Sequence, residues 1–298
     1  MNIIKELKEL NVGKVIDNIL LKDYTTYKVG GPCICIVSPT DIDNLIKLIS
    51  YLRENNIKYK ILGNGSNVIF NDSKYDGVII KLDSFNNLKI LYNKIIVGAG
   101  YMLNKLALRV SRLGFTGMEF AAGIPGTIGG AVYMNAGAYK SDMGYIVTSI
   151  KVLTPDLKVK TMYNKELDFH YRTSFLQKNP GYICLEATIS LIKGNVDEIM
   201  ELIKTRKERR VETQPLEYPS AGSVFRNPEG DFAGRLIEEI GYKGKSIGGA
   251  MVSMKHANFI INNGNAKGEE IKELINEIKE KVKEKYNIDL HVEQEFVE

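Results

Sequence analysis

The sequence predicts an α+β protein in two parts, a larger N-terminal region and a smaller C-terminal one. Three observations predict it. Short alternating apolar runs lie between amphipathic helices along the whole chain. Glycine and alanine concentrate between Gly114 and Gly144, interleaved with Ile124, Pro125, Thr127, Ile128, Val132, Tyr133 and Met134. A basic run and the pair Gln214-Pro215 close one long helix, after which a fresh set of elements begins. A chain of 298 residues has room for two domains. They are placed at residues 1–205, in two lobes of about 1–83 and 84–205, and at residues 206–298.

The elements follow in order. Met1 to Leu10 carries Ile3, Leu7 and Leu10 on one side of a short helix. Val29 to Val37 reads as a strand around a Gly30-Gly31-Pro32 turn. Thr40 or Asp41 then caps a helix whose Ile42, Leu45, Ile46, Ile49 and Leu52 recur at helical spacing. Strands are expected at Tyr59 to Leu62, Val78 to Leu82 and Ile95 to Val97, and a helix from Met102 to Leu113. Beyond the glycine-rich segment, Ile146 to Leu153 and Ile183 to Ile192 alternate as strands. Asn195 opens a helix with Val196, Ile199, Met200 and Ile203 on one face. The C-terminal part holds a helix near Phe232 to Ile240, a strand at Asn258 to Ile261, a helix from Glu269 to Lys285 and a last strand around Ile288 to Phe296.

Composition excludes several classes. The net charge of +4 comes from 40 basic and 36 acidic residues, too small and too dispersed for a nucleic-acid partner. The one dense basic stretch, Lys204 to Arg210, reads as a solvated helix face. No run approaches the roughly 20 apolar residues that span a bilayer. The N-terminus lacks a signal peptide's apolar core, so a cytoplasmic protein without membrane insertion is expected. Cys33, Cys35 and Cys184 form no disulfide framework. Cys33 and Cys35 would face one side of a strand, but a metal site needs further clustered ligands. His170, His256 and His291 are scattered, and no metal is expected.

Two glycine clusters call for a physical reason. Gly63-Asn64-Gly65-Ser66-Asn67 directly follows a strand, where glycine lets several N–H groups turn onto one anion. The second cluster, Gly123-Ile124-Pro125-Gly126-Thr127-Ile128-Gly129-Gly130-Ala131, runs on to Gly137 and leads into a helix N-terminus, which suits phosphate. Either could be a plain turn. Two together suit a dinucleotide's pyrophosphate. The named nucleotide motifs fail: no glycine precedes Lys-Ser or Lys-Thr at Walker A spacing, and Gly98-Ala99-Gly100 has Leu103 where a Rossmann fingerprint needs glycine.

Val29-Gly30-Gly31-Pro32, Leu62 to Asn67 and Gly117 to Tyr139 resemble the FAD-binding domain of the vanillyl-alcohol-oxidase type, PCMH-like and built in two lobes. Phe169-His170-Tyr171-Arg172-Thr173-Ser174-Phe175, Gln214-Pro215 and Ala221-Gly222-Ser223-Val224-Phe225-Arg226-Asn227-Pro228 narrow the match. Together they resemble the UDP-N-acetylenolpyruvoylglucosamine reductase family across nearly the whole chain. The resemblance implies a cytoplasmic enzyme of peptidoglycan precursor synthesis. It implies a substrate-binding C-terminal domain, FAD held non-covalently and NADPH as reductant. UDP-N-acetylglucosamine enolpyruvate is the implied substrate, and a monomer is expected. The chain resembles the shorter subgroup, which lacks an insertion carrying a tyrosine lid.

The resemblance also assigns residues. FAD would lie on Gly63, Asn64, Gly65, Ser66, Asn67, Gly123, Ile124, Pro125, Gly126, Thr127, Gly129, Gly130, Ala131, Asn135 and Gly137. Hydride addition to a vinyl ether conjugated with a carboxylate builds an enolate, so the site needs a cation, a second electrostatic partner and a proton donor. Arg172 would be the cation, Ser223 the proton donor and Glu293 the partner. By themselves Arg172 reads rather as a structural ion pair and Ser223 as a turn serine. The family usually follows this glutamate with an aliphatic and a basic residue, and Gln294 and Glu295 stand there instead. Glu295 is therefore a rival, one strand repeat away. Tyr171, Arg210, Arg226 and Asn227 are the candidate substrate contacts. Two other readings are a sugar or lactone oxidase of the same FAD fold and a nucleotide-sugar binding protein without flavin. The first would need a base beside the flavin rather than a carboxylate clamp; the second would be colourless.

Overall fold

The computed structural model describes residues 3–298; Met1 and Asn2, the start of the predicted first helix, lie outside the described residues. The chain forms two compact units that are not contiguous in sequence. The first comprises Met1–Asp17, Ile34–Asn64 and Gly77–Lys207. The second comprises Asn18–Cys33, Gly65–Asp76 and Glu208–Glu298.

Two sheets carry the first unit. A four-stranded sheet runs in the order Gly13–Ile16, Cys33–Pro39, Tyr75–Ile80, Lys58–Ile61. Its Lys58–Ile61 and Tyr75–Ile80 strands are parallel, as the intervening crossover requires. The helix Ile42–Glu54 is capped by Asp41, whose carboxylate accepts the Asn44 amide. That helix buries Leu45, Leu48, Ile49 and Leu52. A second, antiparallel sheet has five strands: Val159–Tyr163, Val147–Leu153, Ile183–Ser190, Lys94–Gly98 and Leu88–Leu91. The helices Leu103–Arg112 and Ile128–Tyr133 contribute Leu106, Val110, Ile128 and Val132 to the same core.

The second unit packs the helices Ala233–Glu239 and Gly268–Tyr286 with a three-stranded antiparallel sheet, Ser246–Ile247, Ala250–Val252 and Ile260–Asn262. Tyr27, Ile69, Val224, Phe225, Leu236 and Ile275 share its core. A short parallel pair joins Glu295–Val297 to Val68–Phe70.

The structure corrects four expectations. The strand predicted from Val29 starts only at Cys33, because Lys28 (φ 58°) and Gly30 (φ 131°) turn the backbone away from extended geometry. The predicted last strand is broken: Val292 bridges Phe225, Gln294 turns inward, and regular pairing resumes at Glu295. Leu88–Leu91 and Val159–Tyr163 are strands the sequence did not show. They are the edges of the five-stranded sheet, where little apolar surface marks them. Finally, Ile128–Tyr133 is a helix of only 6 residues, so its dipole adds little beyond its own loop amides.

Leu48, outside the predicted apolar stripe, is fully buried. Leu48→Ala should lower stability by about 3 kcal/mol. The check is the urea midpoint at unchanged slope, and a loss below about 1 kcal/mol would contradict the packing described.

Candidate active site

Within the first unit, Gly63 and Asn64 meet the second glycine cluster. Asn64 donates its side-chain amide to the Pro125 carbonyl at 2.7 Å. A Cβ built on Gly63 would lie 2.7 Å from Thr127 Oγ1, so any side chain there would push the loops apart. Lys81 adds its ammonium to the Gly63 carbonyl at 2.8 Å, with Asp83 at 3.7 Å. In the second unit the next residue, Gly65, has φ 64° and a Cβ position only 2.2 Å from the Tyr24 carbonyl, which leaves glycine as its one acceptable residue. The Gly65 carbonyl accepts the Thr26 amide.

The amides of this arrangement divide sharply. Ile124 donates to Ala121, Ile128 to Tyr101, Gly129 to Ala99, and Ala131 to Thr127. The Gly130 amide is capped by Thr127 Oγ1. Among the described residues, the amides of Gly63, Asn64, Gly126 and Thr127 donate to no protein acceptor. Backbone donors left over at two adjoining glycine loops fit a multiply charged anion such as a pyrophosphate. Asn135 is 2% exposed and binds protein at both ends, giving to the His170 carbonyl and accepting from the Gly144 amide. Its contribution is to hold the loop. Asn67 likewise gives its side-chain amide to the Glu293 carbonyl and its own carbonyl to the Glu295 amide.

Arg172 stands at the tip of a two-residue hairpin closed by paired hydrogen bonds between His170 and Thr173. Its φ of 55° is a left-handed conformation that a β-hairpin turn demands. Ser174, 1% exposed, ties the hairpin to the Tyr133 carbonyl. The guanidinium donates to the Gly137 carbonyl at 2.8 Å and lies 5.2 Å from the Tyr171 ring. Tyr171 itself is exposed.

In the second unit Arg226 and Glu293 flank one isolated antiparallel bridge, and Ser223 precedes it by two residues. Val292 bridges Phe225, the Glu293 amide donates to the Val224 carbonyl, and the Arg226 amide donates to His291. Asn258 locks the same stretch, accepting the Phe225 amide and donating to its carbonyl. Glu293 and Glu295 do not continue one strand: Glu293 adjoins this bridge and Glu295 pairs with Val68. The bend at Gln294 separates the two candidates. Asn227 accepts the Ala233 amide at the start of a helix, and Arg210 meets Gln214 along its own helix.

Cys33 is buried and its thiol is pushed up to about 11 by loss of solvent. It stays protonated at neutral pH and is a poor nucleophile. Cys184 is likewise buried, with its thiol raised to about 12. No group of three or more potential metal-holding side chains occurs among the described residues.

Comparison with known proteins now decides the family. Residues 214–297 match the family described as "UDP-N-acetylenolpyruvoylglucosamine reductase, C-terminal domain", and residues 33–163 match "FAD binding domain". A UDP-N-acetylenolpyruvoylglucosamine reductase of Anoxybacillus flavithermus is 46% identical over 98% of this chain and 97% of its own length. The chain belongs to the UDP-N-acetylenolpyruvoylglucosamine reductase family. The Bacillus subtilis reductase is 42% identical over 99% of this chain and 98% of its own. A crystal structure of the Thermus caldophilus reductase superposes with a TM-score of 0.81 at 34% identity, covering 96% of this chain and 98% of that one. The cofactor of this chain is accordingly FAD.

Lys81, Asn258 and Gln294 are polar residues at these loops that sequence reasoning did not assign. Lys81 left a signal, being a lone charge directly after the apolar run Val78-Ile79-Ile80. Asn258 and Gln294 left almost none, since their partners are backbone groups far away in sequence.

Gly63→Ala should lower FAD affinity at least about tenfold by separating the loops, read from flavin retained after dialysis; full retention would contradict the cradle. All three thiols should resist a disulfide-exchange reagent in the native protein at pH 8 and react only on unfolding. Rapid native labelling of one thiol would overturn the buried assignment.

Proposed function

We propose that this chain reduces the enolpyruvyl ether of UDP-N-acetylglucosamine to UDP-N-acetylmuramate in peptidoglycan precursor synthesis. It holds FAD non-covalently and takes electrons from NADPH. Full-length membership of the reductase family carries the reading. The two glycine loops with their unused amides support it from the structure.

The division of labour follows the chain. Residues 1–205 serve FAD and residues 206–298 the nucleotide sugar. FAD held on the glycine loops would supply the hydride for the terminal carbon of the substrate's double bond. Arg172 holds the substrate carboxylate, its guanidinium steadied by the Gly137 carbonyl. As negative charge grows on that carboxylate the attraction strengthens, which favours the transition state over the ground state. Ser223 delivers the proton to the adjacent carbon. A serine hydroxyl is a weak acid, and the nearby cation Arg226, three residues on, favours its alkoxide. Glu293, rather than Glu295, hydrogen-bonds the enolate-forming group, because its amide is tied to Val224, the residue after Ser223. Tyr171, Arg210 and Asn227 contact the nucleotide sugar. The enzyme acts as a monomer in the cytoplasm, a compartment in keeping with three cysteines that form no disulfide. No helix among the described residues is long and apolar enough to cross a membrane.

Anaerobic stopped-flow tests the activity. NADPH should bleach the flavin, and the enolpyruvyl nucleotide sugar should restore its colour. Fast reoxidation by air, with no response to that substrate, would point to an oxidase instead. Ser223→Ala should leave bleaching nearly unchanged while slowing recovery by at least about a hundredfold. Equal losses in both steps would remove Ser223 from the proton-donor role.

A further inference from the structure

We propose that Gln294 is a positioning residue for Ser223: its buried side-chain amide grips the carbonyls of the turn at Ala221–Ser223 and so holds the Ser223 hydroxyl in place. The inference rests on the reading of Ser223 as proton donor given above. Gln294 is 4% exposed, and burying an amide is unfavourable unless it is hydrogen-bonded. Its nitrogen lies 3.1 Å from the Ala221 carbonyl, 3.2 Å from that of Gly222 and 3.5 Å from that of Ser223. Three acceptors converge on one NH2 group, so the nitrogen and not the oxygen must face the turn.

Ala221 is buried in the core, but packing does not enclose the residue after it. Gly222 has φ 76°, and a Cβ placed there would meet nothing within 4 Å. The chain just beyond is rigid, because Asn258 accepts the amides of Val224 and Phe225 and returns a hydrogen bond to Phe225. Ser223 therefore sits between a clamped segment and a turn whose side-chain clamp is Gln294. Tyr27 is fully buried in the core that also takes in Ala221. Burial raises the Tyr27 phenol well above its usual range, and the neighbouring Gln294 amide offsets part of that rise. Tyr27 Oη and Gln294 Oε1 are both shut off from solvent, and neither reaches full hydrogen-bond geometry. Polar atoms shut into an apolar core limit the rotamers open to Gln294.

Gln294→Met keeps the side chain's length and approximate volume and removes its amide. In the flavin-loaded enzyme, bleaching by NADPH should stay within about twofold of wild type, while recovery on adding the enolpyruvyl nucleotide sugar slows about tenfold, as loss of a buried donor predicts. In a Ser223→Ala background the same substitution should cost less than about twofold, because Gln294 acts only through that hydroxyl. Equal slowing in both backgrounds, or none in wild type, overturns the proposal. If Gln294→Met fails to retain flavin, Tyr27→Phe carries the same test: slowing of about threefold that vanishes without Ser223 supports it, and slowing that persists overturns it. Recovery unaffected by Ser223→Ala alone sinks the reading of Ser223, and this inference with it.

Discussion

The contact on which the cofactor site depends is the approach of two backbones at Gly63–Asn64 and Pro125–Thr127. It needs glycine at position 63, where a Cβ would press on Thr127 Oγ1, and it is tied by the Asn64–Pro125 hydrogen bond. A pyrophosphate gives up strong hydration when it binds, and only donors already aimed and already dry repay that loss. Amides fixed by surrounding sheets and turns meet the requirement, since little conformational entropy remains to be lost on binding. Lys81, itself largely buried against the Gly63 carbonyl, adds a fixed positive charge to the same loop.

A different device orders the second unit. Buried side-chain amides take the place that regular sheet bonds hold elsewhere. Asn258 pairs with both backbone groups of Phe225, and Asn262 gives to the Tyr27 carbonyl while accepting the amides of Gly264 and Ala266. Each such bond contributes only about 1 kcal/mol net, but leaving one unmade inside the core costs more, so the set specifies a single loop arrangement. Irregular backbone around Ser223 is thereby held as firmly as a strand would hold it.

Much of this was legible in the sequence. Helical spacing located Ile42–Glu54 and Gly268–Tyr286 to within a residue or two, and the glycine clusters pointed to an anion site. Other features were hidden for physical reasons. Edge strands such as Val159–Tyr163 expose most of their residues and show no apolar alternation. Which amides in a glycine run remain available depends on distant carbonyls, such as Ala99 for Gly129, and spacing does not reveal them. The inward turn of Gln294, which separates Glu293 from Glu295, follows from tertiary hydrogen bonds to residues more than seventy positions earlier. Family resemblance named Arg172, Ser223 and Glu293; the local geometry explains how each backbone is held.

The most direct test of the cradle is a crystal structure of the protein with FAD. The pyrophosphate oxygens should lie within hydrogen-bond distance of amides drawn from both Gly63–Asn64 and Gly126–Thr127. A pyrophosphate seated away from either loop, or held chiefly by side chains elsewhere, would contradict the account.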